Sequence, residues 1–294
     1  MPCFPEITSW LTLEVESPSG GRYEHALAVE NDGRRSAILP RLRAFVSDAH
    51  EDARARLRRL AGGSLDPLGE PLKRDPADGY PQRLHIQTLK GYFGEVLASA
   101  VAENFHPFGM KDWEVPAHLF RFHLVEFQQL EMMDQTNVDA ALRPGRTGDD
   151  CLAFRRDADG NIVAALFCEG KCTPDHDAGM IGDAHEKSSL GNLLPVDLLQ
   201  LIEILEDSTD AAAARWVDGL RCLYLKGPNP GPGYERFDQV TYVCGRRPVS
   251  KNGRKSWMSS AKPHEKYTAK RRLHVAEIHL NEVEKLIKSV YGVA

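Results

Sequence analysis

The sequence predicts an α/β protein, because strand-like and helix-like apolar patterns alternate along most of its 294 residues. Two apolar runs on either side of an Asp-Gly pair predict a β-hairpin near the middle of the chain. An apolar stripe with helical spacing precedes the hairpin, and further patterns of both kinds follow it. At this length the chain can bury a large core, either as one domain or as a core with a smaller lobe.

The N-terminal part begins with a short alternating stretch at 11–15, which predicts a strand, followed by polar sequence that contains glycine. A helix is predicted at about 42–60, with its arginines on the outer face. The stretch rich in Gly and Pro at 62–81 is typical of a linker. We therefore predict an α+β N-terminal extension or interaction lobe at 1–81 and a larger domain at 82–294.

The larger domain is predicted to begin with a helix at 88–104, because its apolar residues recur at i, i+3, i+4, i+7 and i+8. A strand near 119–127 is expected before the hairpin. The remaining predicted elements are helices at about 195–206 and 210–218, strands at 220–225, 240–244 and 273–280, and a final helix at 281–290.

The predicted hairpin brings charged residues together. If Asp159-Gly160 is a two-residue turn, antiparallel partners have numbers that sum to 319, and Asp150 lies opposite Glu169. Their Cβ atoms are then roughly 4.5–5.5 Å apart. Lys171, two residues beyond Glu169, points to the same face. Two carboxylates and an ammonium at one end of a hairpin form a group that could hold a hard divalent cation.

Glu95 is a further candidate, on the helix before the hairpin. It lies outside the main apolar stripe of that helix, but Gly91, Ala98 and Ala102 form a stripe of small residues beside it. Such a stripe allows a helix to approach a sheet closely and would bring Glu95 towards the end of the hairpin. The alternative is an exposed helical glutamate with small neighbours.

The order of helix Glu, strand Asp and strand Glu-x-Lys resembles the PD-(D/E)xK nuclease superfamily, which has the restriction-endonuclease-like fold. The resemblance covers about 90–205. It implies a mixed central sheet flanked by helices, with the hairpin at its centre. The matching segments are Lys90-Gly91-Tyr92-Phe93-Gly94-Glu95-Val96-Leu97, Gly148-Asp149-Asp150-Cys151-Leu152-Ala153-Phe154 and Phe167-Cys168-Glu169-Gly170-Lys171.

The resemblance implies a role for each matching residue. Asp150 and Glu169 would bind Mg²⁺ or Mn²⁺, Lys171 would activate the attacking water, and Glu95 would be an outer metal ligand. Asp149 is the alternative first acid, although the hairpin register favours Asp150. The activity implied is that of a Mg²⁺-dependent endodeoxyribonuclease, which hydrolyses phosphodiester bonds of DNA.

The helix that carries Glu95 also resembles the nuclease component of antiphage systems such as Hachiman. That similarity implies an effector of a prokaryotic antiviral defence complex, with DNA as substrate and a helicase or ATPase as partner protein. Two alternatives remain open. One is a non-catalytic nucleic-acid-binding or assembly subunit with the same fold, and the other is an unrelated enzyme whose Glu169–Lys171 ion pair mimics the motif.

The charge distribution adds a candidate nucleic-acid contact. The net charge of −5 divides into +9 within 246–272 and −14 in the remainder. A basic segment that contains Trp257 and Tyr267 is suited to phosphate contact and base stacking. The alternative is a solvated loop whose charges serve solubility. The predicted nucleic-acid-binding residues are Lys251, Arg254, Lys255, Lys270, Arg271 and Arg272.

Several other classes are disfavoured by the sequence. No apolar run is long enough to span a bilayer, and the N-terminus lacks the pattern of a signal peptide, so we expect a cytoplasmic protein without a membrane partner. The six cysteines form no Cys-x-x-Cys pair, which disfavours a zinc ribbon or a disulfide framework. No Gly-x-x-x-x-Gly-Lys-Ser/Thr loop is present, so hydrolysis of nucleotides is not expected.

Overall fold

The structure is a computed structural model, and it describes residues 4–16, 21–62, 75–120, 150–208, 210–249, 253 and 255–293. Within these ranges the strands are β1 (Leu11–Glu16), β2 (Tyr23–Glu30), β3 (Cys151–Arg156), β4 (Ile162–Thr173), β5 (Glu235–Cys244) and β6 (Leu273–His279). The helices are α1 (Ile7–Trp10), α2 (Arg35–Ala49), α3 (Glu51–Gly62), α4 (Ile86–Asn104), α5 (Ala178–Ser189), α6 (Leu198–Asp207), α7 (Ala211–Leu225) and α8 (Val283–Tyr291).

The six strands form one mixed sheet in the order β1-β2-β6-β5-β4-β3. The two outer pairs, β1–β2 and β3–β4, are antiparallel, and the pairs between them are parallel. Helices cover both faces, which is why the inner strands are buried along almost their whole length. The predicted α/β class with a mixed sheet flanked by helices is confirmed, but the β3–β4 hairpin, expected at the centre of the sheet, lies at its edge.

The β3–β4 hairpin has the predicted register, although its turn is different. Residues Cys151 to Arg155 pair with partners whose numbers sum to 319, as expected. The loop contains three residues, because Asp157 N donates to Asn161 O, and Gly160 adopts a positive φ of 85°. With this longer loop, Arg156 pairs with Ile162. A register shift between Arg155 and Arg156 then gives the pairs from Arg155 to Cys151 the register that a two-residue turn would produce.

The two faces of β4 meet different helices. Cys168 and Gly170 face α4, and a Cβ on Gly170 would lie 2.7 Å from the carbonyl carbon and oxygen of Gly94. Ala165 and Phe167 face the opposite way and pack in the core formed by α6 and α7. Glu169 and Lys171 therefore lie on the face opposite α4, because side chains alternate along a strand.

The segment before residue 81, predicted to be a lobe, contributes to the same sheet. β2 is a buried strand that pairs in parallel with β6, and β1 adds an edge strand beside it. Residues of α1, α2 and α3 share one hydrophobic core with α4 and α8. The functional division at 81 stays a prediction, but in the described residues the sheet and core continue across it.

Four sequence predictions were wrong or incomplete. The predicted strand at 220–225 is the end of α7, whose buried residues recur at helical spacing, and the helix predicted at 42–60 is two helices separated at His50. The polar segment after 15 contains β2. Leu119 and Phe120 are buried without being in a strand, while 121–127 lie outside the described residues.

No helix in the described residues has both the length and the apolar character needed to cross a bilayer.

Candidate functional site

Asp150 immediately precedes β3 and is held against the next strand. Its Oδ2 accepts a hydrogen bond from the backbone N–H of Gly170 at 3.0 Å. Its side chain is 5% exposed. The backbone contact fixes the Asp150 carboxylate beside Glu169 and Lys171, which flank Gly170 in β4.

Glu169 and Lys171 form an ion pair on one face of β4. The Lys171 Nζ lies 2.5 Å from Glu169 Oε1. Glu169 is buried, whereas the Lys171 side chain is 23% exposed and therefore reaches solvent. The hairpin thus brings together Asp150, Glu169 and Lys171, the three residues that the sequence analysis placed at its end.

Lys187 of α5 joins this group, and the sequence analysis did not identify it. Its Nζ lies 3.0 Å from Asp150 Oδ1 and 2.5 Å from Glu169 Oε2. The two carboxylate oxygens are consequently separated by no more than the sum of these distances. Two oxygens bound to one Mg²⁺ ion lie within about 4 Å of each other, so the pair lies near the spacing that one shared ion requires. The sequence contains one signal for the start of α5, an aspartate at the N-cap position. In the structure Asp177 caps the helix, because its Oδ1 accepts a hydrogen bond from Met180 N at 2.9 Å.

The electrostatics of the group depend on burial and on opposing charges. The pKa of the Glu169 carboxyl is raised to about 7: burial is the largest cause, Asp150 adds to it, and Lys171 and Lys187 oppose both. Burial disfavours the charged form of Lys187, but Asp150 and Glu169 raise its pKa overall. Lys187 is therefore a permanent cation between two carboxylates.

Two arginines hold the C-terminal end of α5 in place. Arg236 and Arg271 both pair with the fully buried Asp238, at 2.8 Å each. Both also donate to the backbone carbonyls of Ser188 and Leu190 at the end of the helix. These contacts fix the backbone next to Lys187.

Glu95 lies on α4, which packs on the other face of β4. Its carboxylate is buried and raises the pKa values of Tyr92 and Tyr291, for which burial is the main cause. It also acts on Cys151, whose side chain faces α4. The structure therefore places Glu95 beside a tyrosine cluster, on the opposite side of the sheet from Glu169. Its role as an outer metal ligand stays a prediction.

The basic segment, residues 246–272, packs against α5. Lys266 pairs with Asp183 and Glu186 at 3.1 and 2.8 Å, and the backbone N–H groups of Thr268 and Ala269 donate to Ser189. The described part of the segment therefore lies on the helix that supplies Lys187, on the Glu169 face of the sheet.

The predicted nucleic-acid-binding residues fall into three groups. Lys251 and Arg254 lie outside the described residues, as does Asp149. Lys255 and Lys270 are exposed. Arg271 pairs with the buried Asp238. The Arg272 guanidinium stacks on Phe108, 4.3 Å from its ring centre. The two arginines therefore have internal partners. Their role as phosphate contacts stays a prediction.

The two aromatic residues of the basic segment also have internal contacts. The buried Tyr267 donates its hydroxyl to Asp238 at 2.6 Å. Trp257 stacks on His176 with ring centres 3.8 Å apart and donates to the Arg246 carbonyl. Trp257 also borders a cavity of about 300 Å³ beside His185 of α5. Of the two, Trp257 is better placed to contact a base.

The donor atoms near Lys187 are of the type that Mg²⁺ and Mn²⁺ prefer. Asp150 and Glu169 direct carboxylate oxygens at one position, which is occupied by the Lys187 ammonium. Within the described part of the chain, no group of three or more His, Cys, Asp or Glu side chains is arranged to hold a metal ion. A site for a hard cation here would thus rest on two carboxylates, completed by water or substrate oxygens.

Comparison with protein-family models and with curated proteins finds no match for this chain. The resemblance to the PD-(D/E)xK superfamily therefore rests on the segments around Glu95, Asp150 and Glu169 alone.

Proposed function

We propose that this protein is a metal-dependent nuclease that hydrolyses phosphodiester bonds of DNA, with Asp150, Glu169 and Lys171 as its reactive group. The observation that carries the proposal is the convergence of the two buried carboxylates at one end of the β3–β4 hairpin, with the Lys171 ammonium beside them. The order of these residues resembles that of the superfamily motif, although no Pro precedes Asp150. A restriction-endonuclease-like fold and a role in antiviral defence belong to the same proposal.

Each side chain has a specific task in this chemistry. Asp150 and Glu169 would hold Mg²⁺ or Mn²⁺, which when bound stabilises charge on the phosphate and acidifies water. Lys171 reaches solvent on the same face and would orient or deprotonate the attacking water. The hydrogen bond from Gly170 N keeps the Asp150 carboxylate in position throughout.

Phosphate contact is assigned to the exposed lysines of the basic segment. Lys255, Lys262 and Lys270 are exposed, and residues 266–269 of the segment pack on α5 beside the site. Lys255 lies towards β1, with its Nζ 3.9 Å from Glu14. Attraction of a DNA backbone to this surface would concentrate the substrate near Glu169. The negative charge of the remaining chain would oppose free duplex, which is a reason to expect delivery by a helicase partner.

A second candidate is a nucleic-acid-binding subunit without hydrolytic activity. The observation in its favour is charge balance: Asp150 and Glu169 are already paired with two ammonium groups, those of Lys171 and Lys187. A cluster of this kind can be purely structural. The two candidates differ in whether DNA is cleaved and in whether Glu169 is needed for metal binding.

The test uses the full chain with supercoiled plasmid and linear DNA in Mg²⁺, Mn²⁺ or EDTA, and measures Mn²⁺ binding by calorimetry in parallel. We expect cleavage in both metals and none in EDTA. Glu169→Gln and Lys171→Met should each lower the rate by about 100-fold or more, since each removes a group that acts in the transition state. Lys226→Met and Glu235→Gln, at exposed positions, serve as controls.

Two results would contradict the proposed nuclease function. One is DNA binding without cleavage, together with Mn²⁺ binding that Glu169→Gln leaves unchanged, which would favour the non-catalytic subunit. The other is cleavage that persists at full rate in both site variants.

A further inference from the structure

Lys187 occupies the position that a divalent ion would take in the proposed site. Its Nζ contacts one oxygen of Asp150 and one of Glu169, and both carboxylates are at least nine-tenths buried. An ammonium has one positive charge, while Mg²⁺ or Mn²⁺ has two and needs the same oxygens. The ammonium and the ion therefore cannot occupy this position at the same time.

We propose that Lys187 is a tethered cation that keeps the metal site closed, and that a divalent ion binds only after this ammonium has moved out. The inference rests on the proposed function, because it concerns regulation of the same carboxylate pair. It assigns to Lys187 a role distinct from that of Lys171, which contacts Glu169 alone through its other oxygen, Oε1.

The surroundings allow the lysine to move while the carboxylates stay fixed. The Lys187 side chain is 32% exposed, compared with 5% for Asp150 and 4% for Glu169. A flexible four-carbon stem can swing an ammonium into water without displacing its helix. The backbone cannot easily move instead, because Arg236 and Arg271 bind the carbonyls of Ser188 and Leu190. The moving part is thus the Lys187 side chain.

Moving the Lys187 ammonium out of the site costs free energy, and this cost weakens the observed binding of the metal ion. When only a fraction of molecules is competent to bind, the apparent dissociation constant equals the intrinsic one divided by that fraction. Minor conformations commonly have populations of about 0.1–10%. Removing the ammonium should therefore tighten metal binding by about tenfold or more. Contact of Lys187 with a substrate phosphate would have the same effect, which would couple metal binding to the presence of DNA.

The test measures Mn²⁺ binding and thermal unfolding of the full chain without DNA, so it does not depend on activity. Lys187→Met should bind Mn²⁺ about tenfold or more tightly than wild type. Without metal it should melt at a lower temperature, because two buried carboxylates lose a counter-charge, and Mn²⁺ should restore its melting temperature more than that of wild type. Lys187→Arg keeps the charge and should retain weak binding, and Lys226→Met should behave as wild type.

The outcomes separate the two proposals. If wild type binds Mn²⁺ through Glu169 but Lys187→Met binds no tighter, the closed-site proposal is wrong and the metal site stands. If neither wild type nor Lys187→Met binds Mn²⁺, the proposed metal site fails as well. If Lys187→Met does not fold without metal, Lys187→Gln replaces it, and the absence of Mn²⁺-dependent stabilisation in that variant would also overturn the proposal. The double variant Glu169→Gln/Lys187→Met should lose the tighter binding.

Discussion

The protonation of Glu169 is set by opposing electrostatic effects. Burial and the neighbouring Asp150 favour its neutral form, while two lysines favour the carboxylate, and the resulting pKa is about 7. A buried carboxyl that titrates near neutrality is common at sites that exchange protons or ions, although ion pairs of purely structural origin can produce the same shift. The metal-binding and cleavage measurements distinguish these cases.

The carboxyl of Glu103, which is half-buried on α4, gives a prediction for stability. Burial raises its pKa to about 7, although a hydrogen bond from Val115 N acts in the opposite direction. Folding therefore takes up a proton between about pH 4.5 and 7, and the contribution of Glu103 to stability falls as pH rises through this range. Glu103→Gln removes this titration and keeps an acceptor for Val115 N.

We expect the stability of Glu103→Gln relative to wild type to increase between about pH 5 and 7, with a slope of at most about 1.4 kcal/mol per pH unit. Urea unfolding at several pH values measures the difference. Glu235→Gln, at an exposed position, is the control. A constant difference across this range would show that Glu103 titrates normally in the folded protein.

At the residue scale, local chemistry predicted part of the site. Turn residues and strand alternation sufficed for Asp150, Glu169 and Lys171, because all three lie within one hairpin. Lys187 reaches the hairpin from a separate helix, so its position depends on tertiary packing that no local pattern encodes. The internal roles of Arg271 and Arg272 were missed for the same reason, since Asp238 and Phe108 are distant in sequence.

Among the elements, α4 and β4 show how packing determines the site. The helix crosses the strand where Gly94 meets Gly170, the residue between Glu169 and Lys171. The motif Lys90-Gly91-Tyr92-Phe93-Gly94-Glu95 has structural roles along this helix: Lys90 pairs with Glu284 of α8 at 3.5 Å, and Tyr92 lies in the tyrosine cluster. Glycine in the variable position of Glu-x-Lys is therefore a requirement of helix packing.

This close approach predicts a selective effect of alanine. In Gly170→Ala the new Cβ would lie 2.7 Å from backbone atoms of Gly94, so α4 or β4 must shift. We expect destabilisation of about 1–3 kcal/mol or more, together with loss of the Glu169-dependent metal binding. Urea unfolding and Mn²⁺ titration measure the two effects.

Gly182→Ala in α5 is the matched control. The nearest atom there is the Lys266 Cδ at 3.2 Å, part of a flexible and exposed side chain that can yield. Alanine is favoured over glycine in helices by up to about 1 kcal/mol, so this variant should be unchanged or slightly more stable. Equal stability of the Gly170→Ala and Gly182→Ala proteins would contradict the packing argument.

The predictions for whole elements succeeded where the periodicity was strong and failed where the environment was unusual. The amphipathic pattern of α4 and the alternation around the hairpin were interpreted correctly. β2 was missed because a strand buried between two parallel or antiparallel neighbours can include polar residues that are satisfied internally, as Glu30 is by Trp10 and Asn281. The strand predicted at 220–225 was wrong because a short apolar run does not distinguish a strand from the end of a helix.

For the whole molecule, the division of charge is the dominant feature. The basic segment carries +9 and the remainder −14, and its described part packs on the helix that bears Lys187. Arg271 and Arg272 have internal partners, so the proposed phosphate contact is assigned to the exposed lysines. The segment therefore combines a structural role towards α5 with an exposed charged surface.

The last prediction tests that surface with Lys255→Glu, Lys262→Glu and Lys270→Glu in one variant. We expect weaker DNA binding at all sequences, by about the same factor, because phosphate contacts do not depend on base identity. The slope of log affinity against log salt should flatten by about one for each phosphate that the variant no longer neutralises. Fluorescence anisotropy with labelled DNA at several salt concentrations, in EDTA to prevent cleavage, measures both quantities.

The control places the same charge reversals at Lys111, Lys226 and Lys285, which are exposed and lie outside the basic segment. It changes the net charge equally, so an equal loss of affinity would assign the effect to overall charge rather than to this surface. Unchanged affinity and slope in the first variant would identify the segment as a solvated loop. Loss confined to the first variant would place the DNA backbone next to α5, where its phosphates could draw Lys187 away from Asp150 and Glu169.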